Sequence, residues 1–280
     1  MLERHLSCLA PSGFHRIVYR EWPGPTGAGT LVCVHGLARN ARDFDALAEA
    51  LSSHYRVVCP DMPGRGKSEK LLNPTEYAYP TYVADSAALI ARLDVESVDW
   101  LGTSMGGLIG MMLAAQTGNP IRKLVINDIG PLISKAGLER IRGYIGLDPI
   151  FARIDALEAA LRSNYKTFGP LTDAQWRKMA RDSAWPKPGG RWGFAYDPRI
   201  GDAFKQGPLE DIDLWPVWDK VQCATLILRG AQSDLLSHAT AEEMTKRGPK
   251  TKLVEFAGVG HAPALLSDDQ IGVVRDFLLA

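Results

Sequence analysis

Charge of one sign is what this chain most plainly lacks. Its 32 Lys and Arg are matched by 32 Asp and Glu. That balance gives no basic face for nucleic acid and no attraction to an anionic membrane, so neither is expected as a partner. Cysteine is scarce and scattered. Cys8, Cys33, Cys59 and Cys223 show no C-x-x-C or Cys/His spacing, and the last three lie in or beside apolar runs. They read as small buried hydrophobes rather than metal ligands. No stretch approaches the roughly 20 apolar residues of a membrane span. The opening Met1-Leu2-Glu3-Arg4-His5-Leu6 lacks the apolar run of a signal peptide. A soluble, reducing, cytoplasmic setting is the expectation. There is also no G-x-x-x-x-G-K-[ST], so the Gly-rich stretch around Gly64 and Gly66 is not read as a phosphate cradle.

What is present is an alternation. Residues 2–10 and 15–22 read as an opening hairpin. Thr30–Val34 and Arg56–Cys59 are short unbroken apolar runs of the kind that fill a parallel sheet. Ser97–Leu101, Ile121–Asn127, Ala224–Gly230 and Lys252–Phe256 continue the series, with helix-like text between them. This pattern predicts an α/β fold, a mostly parallel doubly wound sheet with helices on both faces. The rhythm stops from about Pro131 to Trp215. Amphipathic helices are expected there around Ala136–Tyr144, Asp155–Phe168 and Thr172–Ser183, with Trp176, Trp185, Trp192, Tyr196 and Phe204 among them. Such a segment is too long for an ordinary connection. The expected division is therefore a core of residues 1–130 and 216–280 with a helical cap, residues 131–215, inserted into it. Its aromatics either line an apolar pocket or form the cap's own core.

The stretch around which the rest is organised is Gly102-Thr103-Ser104-Met105-Gly106. By itself the pentapeptide is a weak signal, since many such sequences are plain turns. Between a strand and a helix it becomes a nucleophile elbow, in which a strained turn lifts the serine hydroxyl clear of the sheet. Such a serine needs a base, and the base needs an acid to orient it. His261, in Gly258-Val259-Gly260-His261, falls at the carboxyl end of the sheet after the last strand. Asp234, in Gly230-Ala231-Gln232-Ser233-Asp234, holds the matching position after the preceding strand and is the expected acid. Asp128 also follows a strand at this edge and is its competitor. Two backbone N–H groups, of Leu37 and Met105, are the expected oxyanion donors. His35 is a rival base, but a His-Gly at that loop is read as shaping the backbone. Arg39 and Asn40 either face the substrate or are solvated.

Taken together, His35-Gly36, Asp61-Met62-Pro63-Gly64-Arg65-Gly66-Lys67-Ser68, the Gly102–Gly106 elbow, Asp234 and Gly260-His261 resemble the α/β-hydrolase superfamily. The resemblance implies a Ser104/His261/Asp234 triad, an oxyanion hole at Leu37 and Met105, and a cap over the site. It implies no metal and no organic cofactor. A serine nucleophile does not fit the dehalogenase and epoxide-hydrolase branches, and Leu37-Ala38 stands where many lipases carry His-Gly-Gly-Gly. What remains resembles capped carboxylesterases. The expectation is hydrolysis of small to medium carboxylic esters through an acyl-enzyme, with a small-molecule ester or acyl compound as substrate, by a monomer or homodimer. A C–C bond hydrolase or enol-lactonase with the same triad is the nearest enzyme alternative. A non-catalytic small-molecule receptor is the alternative of another class.

Overall fold

The computed structural model describes residues 1–280. The chain opens with β1 (Leu2–Ala10) and β2 (Gly13–Trp22), an antiparallel hairpin. Then β3 (Gly29–Val34), α1 (Asp45–Leu51), β4 (Tyr55–Pro60), α2 (Tyr79–Arg92), β5 (Val98–Thr103), α3 (Met105–Ala114) and β6 (Ile121–Asn127) alternate. After a long insertion, β11 (Ala224–Gly230), α8 (His238–Lys246), β12 (Thr251–Phe256) and α9 (Asp268–Leu279) complete the core. The eight strands form one sheet in the order β1-β2-β4-β3-β5-β6-β11-β12. β2 meets β4 antiparallel, and every pair from β4 to β12 is parallel. This is the mostly parallel α/β sheet that the alternation predicted.

The strands form where the sequence cannot stay in water. β3 buries every residue after Gly29, and β6 buries Leu124 to Asn127. Both faces are covered. Tyr82 and Leu89 of α2, Ile109 of α3 and Met244 of α8 pack on one side, and Leu47 of α1 with Ile271 and Val274 of α9 on the other. The opening hairpin, which has one face in solvent, is held down by a buried polar link. His15 Nε2 of β2 lies 2.8 Å from Asp85 Oδ2 of α2.

The insertion holds β7 (Leu132–Ile133), α4 (Lys135–Arg142), α5 (Ile154–Asn164), α6 (Asp173–Ser183), β8 (Ala184–Lys187), β9 (Arg191–Phe194), β10 (Ile212–Asp213) and the short α7 (Trp215–Trp218). The three expected helices are present. The β8–β9 hairpin is an addition to an otherwise helical expectation, for its strands carry Pro186 and Gly193 and no unbroken apolar run. The α6 start is sharp because Thr172 and Gln175 form a reciprocal capping box. A small separate core of Leu157, Leu161, Trp176, Met179 and Ala180 holds α5 to α6.

The Gly-rich loop after β4 supports this insertion. Gly66 N–H donates to the Ala195 carbonyl at 2.8 Å, and Asp197 N–H donates to the Gly64 carbonyl at 2.7 Å. The Tyr77 hydroxyl then donates to Asp197 at 2.8 Å. A side chain at Gly64 would meet the Tyr77 hydroxyl at 2.5 Å, in a backbone of φ +76°. The glycine is there to let the two segments close.

Candidate active site

Ser104 sits between β5 and α3 with φ 52° and ψ −113°, a conformation a non-glycine residue adopts only where its surroundings force it. The flanking residues supply the space. A Cβ on Gly102 would lie 2.1 Å from the Gly106 backbone, and a Cβ on Gly106 would lie 2.0 Å from the Val34 carbonyl oxygen. Only glycine permits the strand, turn and helix to approach so closely.

His261 lies between β12 and α9, and its Nε2 is 3.1 Å from Ser104 Oγ. Its other ring nitrogen, Nδ1, is 2.8 Å from Asp128 Oδ2. An Nδ1–H donated to the carboxylate leaves Nε2 free to accept the serine proton, the tautomer a general base needs.

The partner of His261 is therefore Asp128, and the expected Asp234 is a correction. Asp128 follows β6 directly at φ 59°, and its carboxylate is fully buried. It accepts the Gly230 N–H at 2.8 Å and the Ser233 hydroxyl at 2.6 Å as well as the imidazole. Asp234 lies in the loop after β11, half exposed, and forms an ion pair with Arg140 of α4. The physical reason is where the loops point. The loop after β11 turns Ser233 inward as a donor to Asp128 and leaves Asp234 outside.

His35 is no competing base. Its Nδ1 donates to the Gly36 carbonyl at 2.7 Å, and its Nε2 accepts the Met62 N–H at 3.0 Å. Complete burial drives its pKa down to about 4, so it is neutral at pH 7. It fixes the loop that carries Leu37, as the sequence suggested.

The Leu37 N–H makes no backbone hydrogen bond. Met105 opens α3, where first-turn N–H groups have no intrahelical acceptor. Both residues line the same cavity as Ser104. Sequence reasoning passed over Arg65, which braces both. It is fully buried; its Nε donates to the Leu37 carbonyl at 2.9 Å, and its Nη2 lies 3.6 Å from Met105 Sδ. It also donates to the Tyr82 hydroxyl at 3.0 Å and lies over the rings of Tyr77 and Tyr82. Its only signal was its place in Pro63-Gly64-Arg65-Gly66, which reads as a turn.

Above the serine lies a cavity of about 410 Å³, with 18 hydrophobic residues among the 20 that line it. Tyr79, Leu108 and Met112 come from the core, while Ile133, Leu138, Ile141 and Phe204 come from the insertion. The aromatic group thus divides. Phe204 lines the cavity, Trp176 belongs to the insertion's core, and Trp185 is exposed. Arg39 and Asn40 are buried rather than solvated. Arg39 pairs with Asp43 and donates to Ser183 at 2.9 Å, and Asn40 donates to the Asp182 carbonyl at 2.9 Å. No helix is long and apolar enough to cross a membrane.

A buried, hydrogen-bonded series of carboxylate, imidazole and strained serine beneath an apolar cavity is chemistry of a recurring kind, and comparison places it. Residues 31–275 match the model of the alpha/beta hydrolase family. The chain belongs to that family. It is 44% identical over 282 residues to the 3-hydroxybutyrate-oligomer hydrolase of Cupriavidus necator, with 97% of this chain and 96% of that protein covered. An alpha/beta hydrolase of known structure from Novosphingobium aromaticivorans superposes with a TM-score of 0.89 at 36% identity, over 99% of this chain and 98% of the other. A protein from Rickettsia typhi does so with a TM-score of 0.93 at 33% identity, over 100% and 99%. The chain is accordingly an enzyme, a hydrolase acting on ester bonds.

Proposed function

We propose that this enzyme is a serine hydrolase of small to medium carboxylic esters, and that its substrates are short oligoesters of 3-hydroxy acids. The observation that carries the chemistry is the continuous series Ser104 Oγ, His261 Nε2, His261 Nδ1 and Asp128 Oδ2, with links of 3.1 and 2.8 Å. The substrate class is supported by the 44% identity, end to end, with a hydrolase of 3-hydroxybutyrate oligomers. We assign residues 131–215 the role of a cap, since Ile133, Leu138, Ile141 and Phe204 wall the cavity over Ser104.

In the first half-reaction Ser104 Oγ attacks the ester carbonyl carbon as its proton passes to His261 Nε2. The negative charge that gathers on the carbonyl oxygen is met by the Leu37 and Met105 N–H groups, each such donor being worth about 3 kcal/mol in the transition state. The bond from carbon to the alcohol oxygen then breaks, and His261 returns its proton to that oxygen. In the second half-reaction water attacks the acyl-serine, gives its proton to His261, and the acid leaves as Ser104 is reprotonated. Asp128 holds the imidazole tautomer throughout and stabilises the imidazolium.

The test is release of 3-hydroxybutyrate from its linear dimer by wild type and Ser104→Ala. Wild type should turn the dimer over, and the variant should lose about 10⁶-fold in kcat. A variant that retains activity, or a wild type that hydrolyses no ester, overturns the proposal.

A further inference from the structure

The space around Ser104 has two unlike sides. On the side of Leu108 and Phe204 lies the 410 Å³ apolar cavity, which His261 does not reach. On the other side is a small space of about 50 Å³, bounded by His261, Arg39, Arg140, Tyr144, Tyr165 and Asn164. A neighbouring space of about 150 Å³ shares Arg39, Tyr144, Asn164 and Tyr165 with it. The first side offers almost nothing to a charge. The second offers two guanidinium groups, two phenols and a carboxamide.

The reaction itself decides which half of an ester goes where. The proton on His261 Nε2 has to reach the departing oxygen, so the leaving alcohol lies on the histidine's side. The acyl chain then extends into the apolar cavity. In an oligoester of a hydroxy acid the last alcohol unit carries the free carboxylate. Arg140 stands where that carboxylate would be. It lies on α4 with its side chain 38% exposed and lines the same small space as His261, so it can be reached. Arg39 is an unsuitable receptor, because its guanidinium is already spent on Asp43 and Ser183. The acid facing Arg140 is Asp234, half exposed, and a solvated pair of this kind is weakly held. An incoming carboxylate can therefore share the guanidinium, whose fork geometry suits two acceptors.

Resting on Ser104 and His261 as nucleophile and base, we propose that Arg140 recognises the free carboxylate of the departing hydroxy acid. The enzyme thereby cuts oligoesters from their carboxyl end, one short unit at a time. The small polar side holds the unit released, and the large apolar side holds the remaining chain. Arg140 is in this account a specificity residue that binds the leaving group and takes no part in proton transfer.

The test uses two acetate esters that differ only at the far end of the alcohol, O-acetyl-3-hydroxybutyrate and its primary amide, with acetate release as the readout. Wild type should favour the carboxylate by tenfold or more in kcat/KM, chiefly through KM. Arg140→Leu should bring the ratio of the two substrates to about one, and Arg140→Glu should take it below one, with thermal melting as the check on folding. If wild type hydrolyses both esters equally, or if the preference survives in both variants, the inference is overturned while the esterase reading stands. If neither compound nor p-nitrophenyl acetate is hydrolysed, both fall together.

Discussion

Asp128 and Asp234 invite comparison, since each follows a strand at the same edge of the sheet and only one touches the histidine. Asp128 is fully buried with three donors on its carboxylate, from Gly230, Ser233 and His261. Asp234 is half exposed and pairs with Arg140, itself a solvent-accessible side chain. A buried carboxylate surrounded by donors is fixed in position, as orienting an imidazole requires. A solvated one is not. The loop that carries Asp234 still serves the site, because Ser233 and Gly230 within it hold Asp128 in place.

The largest expected effect in breaking this contrast comes from Asp128→Asn. An amide there favours the wrong imidazole tautomer, and kcat on p-nitrophenyl butyrate should fall about 10⁴-fold with the melting curve retained. Ser233→Ala sharpens the comparison by testing the support rather than the acid. It removes one donor from a buried carboxylate, an effect of about 1–3 kcal/mol. About a tenfold loss in kcat is expected, with Ser233→Thr restoring most of it.

His35 gives the same lesson about burial through stability. Its pKa is about 4 in the folded chain against 6.5 ordinarily. Below pH 6.5 the unfolded chain takes up a proton that the folded chain refuses until about pH 4. The stabilisation that neutral His35 provides at pH 7 is therefore lost as pH falls through that window. The amount is on the order of 3 kcal/mol. In urea unfolding, the advantage of wild type over His35→Gln should shrink by about that much between pH 7 and pH 4. The difference is the proper readout, because the Asp61 carboxyl, raised to about 6 by burial, contributes with the opposite sign over part of the range. A constant difference would show that His35 protonates freely in the folded chain. Asp234→Asn should do least of all, moving kcat on p-nitrophenyl butyrate by no more than about fivefold.

These contrasts explain which parts of the site were legible in the sequence. The sheet, its order of strands and helices, Ser104, His261 and the Leu37 loop are all encoded locally. Gly102 and Gly106 mark the elbow because their missing side chains are a steric necessity visible in five letters. The choice between Asp128 and Asp234 is encoded nowhere locally. Both follow a β strand, and the decision rests on which loop turns inward, a matter of packing between β6, β11 and α4. Arg65 was hidden for a similar reason. Its charge is satisfied by the Leu37 and Pro63 carbonyls and a phenol, with no acidic partner in the sequence to announce its burial. The β8–β9 hairpin was hidden because its strands carry Pro186 and Gly193 and no unbroken apolar run.

The most direct test of the account compares Asp128→Asn and Asp234→Asn side by side for kcat on p-nitrophenyl butyrate at pH 7.5. The account predicts that the Asp128 variant will be slower than the Asp234 variant by three orders of magnitude or more. Equal rates, or a slower Asp234 variant, would contradict it and return the acid's role to the exposed loop.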